Sequence, residues 1–263
     1  MARRVAIDSD ELHWCLALLL PLAMRCYLDG SEIALQRLTV LCLVLASSFF
    51  WSALINRRIW PSSVGAQLHF SMLFAILLFE PVGWAPVMFA TSFGWIFAHE
   101  MFGGKPVLSP ALIALATALF SFPDTGFQEK WILNVEPAFF MALACLPGGL
   151  WLAWRKQLQL PVLLGVAVGV AAVVPLFPPS VQWWEHLLIG ALAVGVVFIA
   201  ADQKFVPAGI VTQVLAGALI GGLVVVLRLA SPDQPDGVVF ALLLGSLFTP
   251  LLGRLLAWRT SHA

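Results

Sequence analysis

Charge is the scarcest thing in this sequence. Asp, Glu, Lys and Arg make up 11% of its 263 residues, where an ordinary soluble domain carries about 25%. That shortage excludes a solvated globular surface. The basic and acidic residues also cancel, 14 against 14, so no basic face points to nucleic acid as a partner. Cysteine is thin as well. Cys15, Cys26, Cys42 and Cys145 are scattered in or beside apolar stretches, and no pair has C-x-x-C spacing. Neither a zinc site nor a disulfide framework is indicated, and the four read as small buried hydrophobes. No polar stretch is long enough for a soluble domain. No small-residue cleavage site follows the first apolar segment, which is therefore expected to be an anchor and not a removed signal.

What the chain has instead is apolar length: 61% of its residues are hydrophobic. A membrane span needs roughly 20 such residues, with about 17 to 25 as the usual range. With Pro, Gly and charge as punctuation, ten segments emerge: Leu12–Leu28, Ile33–Leu54, Ala66–Phe79, Val82–Ala98, Val107–Phe122, Pro137–Trp154, Pro161–Pro175, His186–Ala201, Ile210–Leu229 and Gly237–Trp258. The third, fifth and eighth are short. With ten spans both termini share a side. That side holds Arg3, Arg4, Arg57, Arg58, Lys105, Arg155, Lys156, Lys204, Arg254 and Arg259, leaving Arg25, Arg37, Lys130 and Arg228 for the other. The positive-inside rule then puts both termini in the cytoplasm.

A faint internal repeat runs through the chain. Gly65–Phe122 and His186–Pro250 each start with a short span rich in small residues, followed by a proline-bearing break and a full span. A Gly/Pro turn then leads to a last apolar span, Gly103–Pro106 in one copy and Ser231–Gly237 in the other. Five spans separate the copies, an odd number, which inverts the second. Inverted repeats with interrupted helices place ligands near the midplane beside the broken segments. The fold expected is an all-α polytopic membrane protein of about ten transmembrane helices in an inverted 5+5 repeat, with short interrupted helices. It is a single membrane domain over 1–263, with repeat one near 12–122 and repeat two near 137–258.

Several runs carry a resemblance. Val197-Phe198-Ile199-Ala200-Ala201-Asp202 and Pro235-Asp236-Gly237-Val238-Val239-Phe240-Ala241-Leu242-Leu243-Leu244 look like "FFIATDP" and "PDGVAFAVLL". Phe102-Gly103-Gly104 with Ser109-Pro110-Ala111-Leu112 stands where a "GGLGxNPFNPAM" run is expected, and Gly148–Arg155 is similar to "GGLFLLWRR". In this order the runs cover most of the chain from about Ser63 to Trp258. They resemble the RnfD/NqrB membrane family, whose members are subunits of the Rnf complex and of Na+-translocating NADH:quinone reductase (Nqr).

The resemblance implies a bacterial inner-membrane subunit of an electron-transport complex, positioning a flavin for transmembrane electron transfer coupled to Na+ or H+ movement. Its partners would be other membrane and redox subunits and the lipid bilayer, and it would be at most a non-catalytic subunit with no catalytic side chain and no metal. The cofactor-binding candidates are Gly103, Gly104, Ser109, Asp202, Asp236 and Gly237. Family members with covalent FMN attach it at an S/T-G-A-T motif between the fifth and sixth spans. That motif is missing here; Thr125-Gly126 is a remnant, with Phe127 in place of Ala. Any FMN or riboflavin is therefore expected to be noncovalent. The alternative is a flavin-free permease-like or scaffold subunit that binds a small solute or partner subunits.

Local chemistry adds expectations of its own. Ser109 followed by Pro110 reads as an N-cap and first helical residue. Glu100 near Lys105, and Asp202 near Lys204, read as solvated pairs at helix ends or as functional carboxylates. His13, His69 and His99 all fall toward the cytoplasmic half without ligand spacing. Arg25 and Arg37, beside Asp29 and Glu32, are explained by snorkelling and local pairing.

Overall fold

The computed structural model describes residues 9–57, 64–78, 83–103, 108–122, 135–177, 182–189, 191–206, 209–230 and 237–261. Its helices are α1 (Ser9–Asn56), α2 (Val64–Leu77), α3 (Trp84–Ala98), α4 (Pro110–Ser121), α5 (Val135–Trp154), α6 (Leu160–Val173), α7 (Trp183–Leu188), α8 (Leu192–Gly195), α9 (Ile210–Ala230) and α10 (Val238–Ser261). Glu100–Phe102 and Val174–Leu176 are single 3-10 turns, and Val196–Ala200 is a π turn. Among the described residues α1, α5 and α9 each hold a stretch long and apolar enough to cross a membrane. Val64–Leu77, Pro110–Ser121, Leu160–Leu176 and Val238–Arg254 are shorter apolar helices. The protein is a helical membrane protein.

Among the described residues the apolar segments read from the sequence are helical, with two departures. The first two run together as α1, which bends at Gly30 (φ 79, ψ 169), a backbone setting that costs glycine little. The eighth is not one helix. It stops at Leu188, Ile189 turns extended (φ −60, ψ 136), and the chain restarts as α8 and the π turn. Elsewhere local chemistry sets the starts. Ser109 is the N-cap of α4 and Pro110 its first residue, as expected, but the serine hydroxyl makes no capping bond.

Two compact units divide the chain. The first comprises Met1–Gln128 and Ala144–Leu152. In it α1 packs on α2, α3 and the later part of α5. A Cβ added at Gly148 would fall 2.4 Å from the Ala17 carbonyl, and one at Gly94 would fall 2.6 Å from the Pro110 carbonyl of α4. Helices in lipid associate through such close approach, since burial from water supplies no drive there.

The second unit comprises Glu129–Leu143 and Ala153–Ala263. Its centre is the α6–α9 pair, where the glycines are reciprocal. Gly165 and Gly169 rest on the carbonyls of Val214 and Ala218, and Gly217 and Gly221 on those of Val162 and Val166. Added Cβ atoms would lie 2.1–2.3 Å from these oxygens. α10 closes against α9, with Gly245 under Ile220 and Gly237 under Leu227.

Candidate functional site

Polar side chains gather in the first unit where α3 ends. Trp95 points its Nε1–H at both Ser52 Oγ and Glu100 Oε1, each 2.9 Å away. Ser52 donates to the same Glu100 oxygen, and Asn56 Nδ2 donates to the other at 3.0 Å. The Gln67 amide donates to Ser52 Oγ at 3.1 Å. His99 stacks on Trp95 with ring centres 4.1 Å apart, and its Nδ1 lies 3.6 Å from Glu100 Oε1.

The Glu100 side chain is 5% exposed, so it is not the solvated group expected from its place beside Lys105, which lies outside the described residues. The 3-10 turn folds it back against α1 and α3, and Gly103 (φ 66) ends that turn in a left-handed setting. Hydrogen bonds to a charged group are worth about 1.5–3 kcal/mol. Trp95→Phe should therefore lower the unfolding free energy of the solubilised chain by about 2 kcal/mol. Trp84→Phe, at a residue 72% exposed, should leave it unchanged.

Two arginines meet helix ends. Arg37 is fully buried. Its Nη1 donates to the carbonyls of Ala75 and Leu78 at the end of α2, and its Nε to Asp29. Arg25 also lies against Asp29, at 3.5 Å. The pairing expected of Arg25 and Arg37 is present, but both are buried and neither snorkels, because the α2 carbonyls and Asp29 supply partners inside. In the second unit Arg228 of α9 donates through Nη1 to His186 O at 2.7 Å and through Nη2 to Ile189 O at 2.5 Å, at the break after α7.

Asp202 follows the π turn, outside the helices, and is 1% exposed. Its backbone forms a bridge with Leu158, and its Oδ1 accepts from the Lys204 amide at 2.9 Å. Burial raises its carboxyl to about 6, against the opposing pull of the Lys204 amide and charge. A carboxyl raised on folding binds its proton more tightly in the folded state, so stability falls as pH climbs from about 4 through 6. Asp202→Asn should accordingly melt higher than the wild type at pH 8, with the difference vanishing below the unfolded carboxyl value. Thermal melts across pH check this.

The residues expected to bind a cofactor are spread over these features. Gly103 and Ser109 both lie in the first unit, with Ser109 buried. In the second unit Asp202 lies near the start of α9, whereas Gly237 packs on Leu227 near the other end of that helix. Gly104, Thr125 and Asp236 lie outside the described residues. A flavin needs hydrogen-bond partners for its pyrimidine edge. Beside α1, a cavity of about 260 Å³ is lined by apolar side chains, among them Leu12, Leu16, Leu19, Leu41 and Met72, and one of about 250 Å³ lies among Leu16, Leu20, Pro147 and Trp151. His13, His69 and His99 rest on Trp151, Trp14 and Trp95 respectively, and among the described residues no group of three or more His, Cys, Asp or Glu can hold a metal.

The model of the NQR2, RnfD, RnfE family matches residues 2–137 and 135–261. The chain belongs to this family. The NqrB subunit of the Na(+)-translocating NADH-quinone reductase of Pseudomonas aeruginosa (strain LESB58) is 28% identical over 230 residues, covering 69% of this chain and 57% of that protein. The corresponding subunits of Neisseria meningitidis serogroup A (strain DSM 15465 / Z2491) and Chromohalobacter salexigens are 25% and 27% identical, covering 69% of this chain and 57% and 56% of their own. The chain thus spans little more than half the length of these relatives.

Membership in the NQR2, RnfD, RnfE family fits the runs that first carried the resemblance. Val197–Asp202 is the π turn with its buried carboxylate, and Gly237 opens α10. Sequence reasoning missed Ser52, Asn56 and Trp95 as partners of Glu100, and Arg228 as the partner of the α7 break. The signal for Arg228 was present: a lone cation in an otherwise apolar 21-residue helix marks a functional or partnered position by default.

Proposed function

We propose that the chain is a membrane subunit of an Nqr- or Rnf-type electron-transport complex in a bacterial inner membrane, with both termini cytoplasmic. The observation that carries this reading is the family match over both halves of the chain. The ten-span inverted repeat, with copies near 12–122 and 137–258, draws support from the two units. Each packs later helices through glycines against their neighbours. The subunit works with other membrane and redox subunits and has no catalytic side chain of its own.

In the finer reading it positions a noncovalent FMN or riboflavin, with Gly103, Gly104, Ser109, Asp202, Asp236 and Gly237 contributing, for electron transfer coupled to Na+ or H+ movement. The cofactor would supply the redox chemistry and the protein its position. The second reading is a flavin-free scaffold or permease-like shell that binds a solute or partner subunits. The apolar lining of the cavity among Leu12, Leu16, Leu19, Leu41 and Met72 favours it.

Native electrophoresis of gently solubilised membranes, followed by acid extraction of the band, separates them. A large complex yielding about one extractable flavin for this chain is expected on the first reading. A large complex in which flavin tracks only the other subunits supports the second. Migration of the chain as a colourless species by itself would contradict membership in the complex.

A further inference from the structure

A helix that ends inside a membrane leaves up to four carbonyls without amide partners, and its dipole places about half a negative charge there. Such an end attracts cations, and half-helix C-termini coordinate ions in transporters. This chain has two. α2 has 14 residues, about 21 Å of helix where the hydrocarbon core is about 30 Å, and it stops among the buried Ala75, Leu77 and Leu78. α7 stops at Leu188, beside the buried Ile189 and Ala191.

At each end a guanidinium from a different helix is already seated, through Nη1 alone for Arg37 and through both Nη1 and Nη2 for Arg228. Arg37 takes the carbonyls of residues 75 and 78, and Arg228 those of residues 186 and 189. In both cases the acceptors are three residues apart, one helical turn. A neutral hydroxyl or amide could donate to these oxygens without bringing a charge into the membrane, where charge is costly. The choice of arginine twice, in two separately packed units, matches the charge to the negative end of the helix.

We propose that Arg37 and Arg228 are tethered counter-ions: each occupies the cation position that its broken helix creates, and so closes that break to mobile cations. The second break carries the test, because Arg228 can be replaced without disturbing the Arg37–Asp29 pair. Full-length Arg228→Ala is purified in detergent and melted in choline, sodium and guanidinium chlorides at equal ionic strength. It should melt below the wild type in choline, and millimolar guanidinium or sodium should raise its melting temperature by several degrees through binding to the vacated end. The wild type should ignore the exchange of salts. Reconstituted into vesicles, the variant should take up radioactive sodium several times faster than the wild type.

Both results are required. Melting that is independent of the salt, or uptake at the wild-type rate, would reduce Arg228 to a hydrogen-bonding cap and overturn the proposal. If the alanine variant does not fold, Arg228→Lys and Arg228→Gln carry the test. The lysine keeps the charge and should hold uptake at the wild-type rate. The glutamine keeps donors without charge and should leak; equal uptake by the two overturns the proposal as surely.

Discussion

Replacing Gly169 with leucine should leave little folded chain. Even a single Cβ at this position would lie 2.1 Å from the Ala218 carbonyl oxygen, which belongs to the α9 backbone and cannot rotate away. The whole helix would have to move, and with it the reciprocal contacts at Gly165, Gly217 and Gly221. Overpacking a core costs about 1–3 kcal/mol when side chains can yield. Here backbones face each other, and the loss should reach at least about 3 kcal/mol. Gly222→Ala is the matched control. Its Cβ would meet only the Val173 Cγ2, at 3.3 Å, the end of a side chain. Alanine is also the better helix former by about 1 kcal/mol, so this variant should be neutral or slightly more stable. Yields and detergent melting temperatures of the pair decide the matter, and equal behaviour would contradict the α6–α9 packing.

Arg37→Met is the second change expected to have a large effect. It takes from the Asp29 carboxylate its closer arginine, leaving Arg25 at 3.5 Å, and strands the carbonyls of Ala75 and Leu78 in a region where Arg37 itself is fully buried. Removing one partner of a buried ion pair costs about 3–5 kcal/mol, of which the Arg25 contact holds back a part. The double variant Arg37→Met/Asp29→Asn removes the Asp29 charge and should recover part of that loss, though not the part due to the open carbonyls. A double variant no better than Arg37→Met would mean that Asp29 is satisfied without Arg37.

Helix positions were legible in the sequence because apolar length and Pro, Gly and charge punctuation are local properties. Ser109-Pro110 marks the start of α4, and Pro161 lies in the first turn of α6. What was not legible depends on partners far along the chain. Nothing near Glu100 announces that Ser52 and Asn56 of α1 will take up its carboxylate, so local chemistry favoured water and Lys105. The broken eighth segment looks like one apolar run until Arg228, on α9, is seen holding the carbonyls of His186 and Ile189. The glycines of α6 and α9 each show four-residue spacing, but spacing does not name the facing helix. The cofactor residues inferred from resemblance are of another kind. An added Cβ at Gly237 would lie 2.4 Å from Leu227, and a sequence match carries packing and binding glycines alike.

The most direct test of the central claim is a quantitative partner list. The chain, tagged at its natural level of expression, is captured from native membranes in mild detergent, and the co-captured proteins are counted by mass spectrometry. Membership in an Nqr- or Rnf-type complex predicts membrane subunits and redox subunits carrying flavin or iron–sulfur centres, in fixed near-equal ratios to this chain. Recovery of the chain alone, or only with proteins of no redox function, would contradict it.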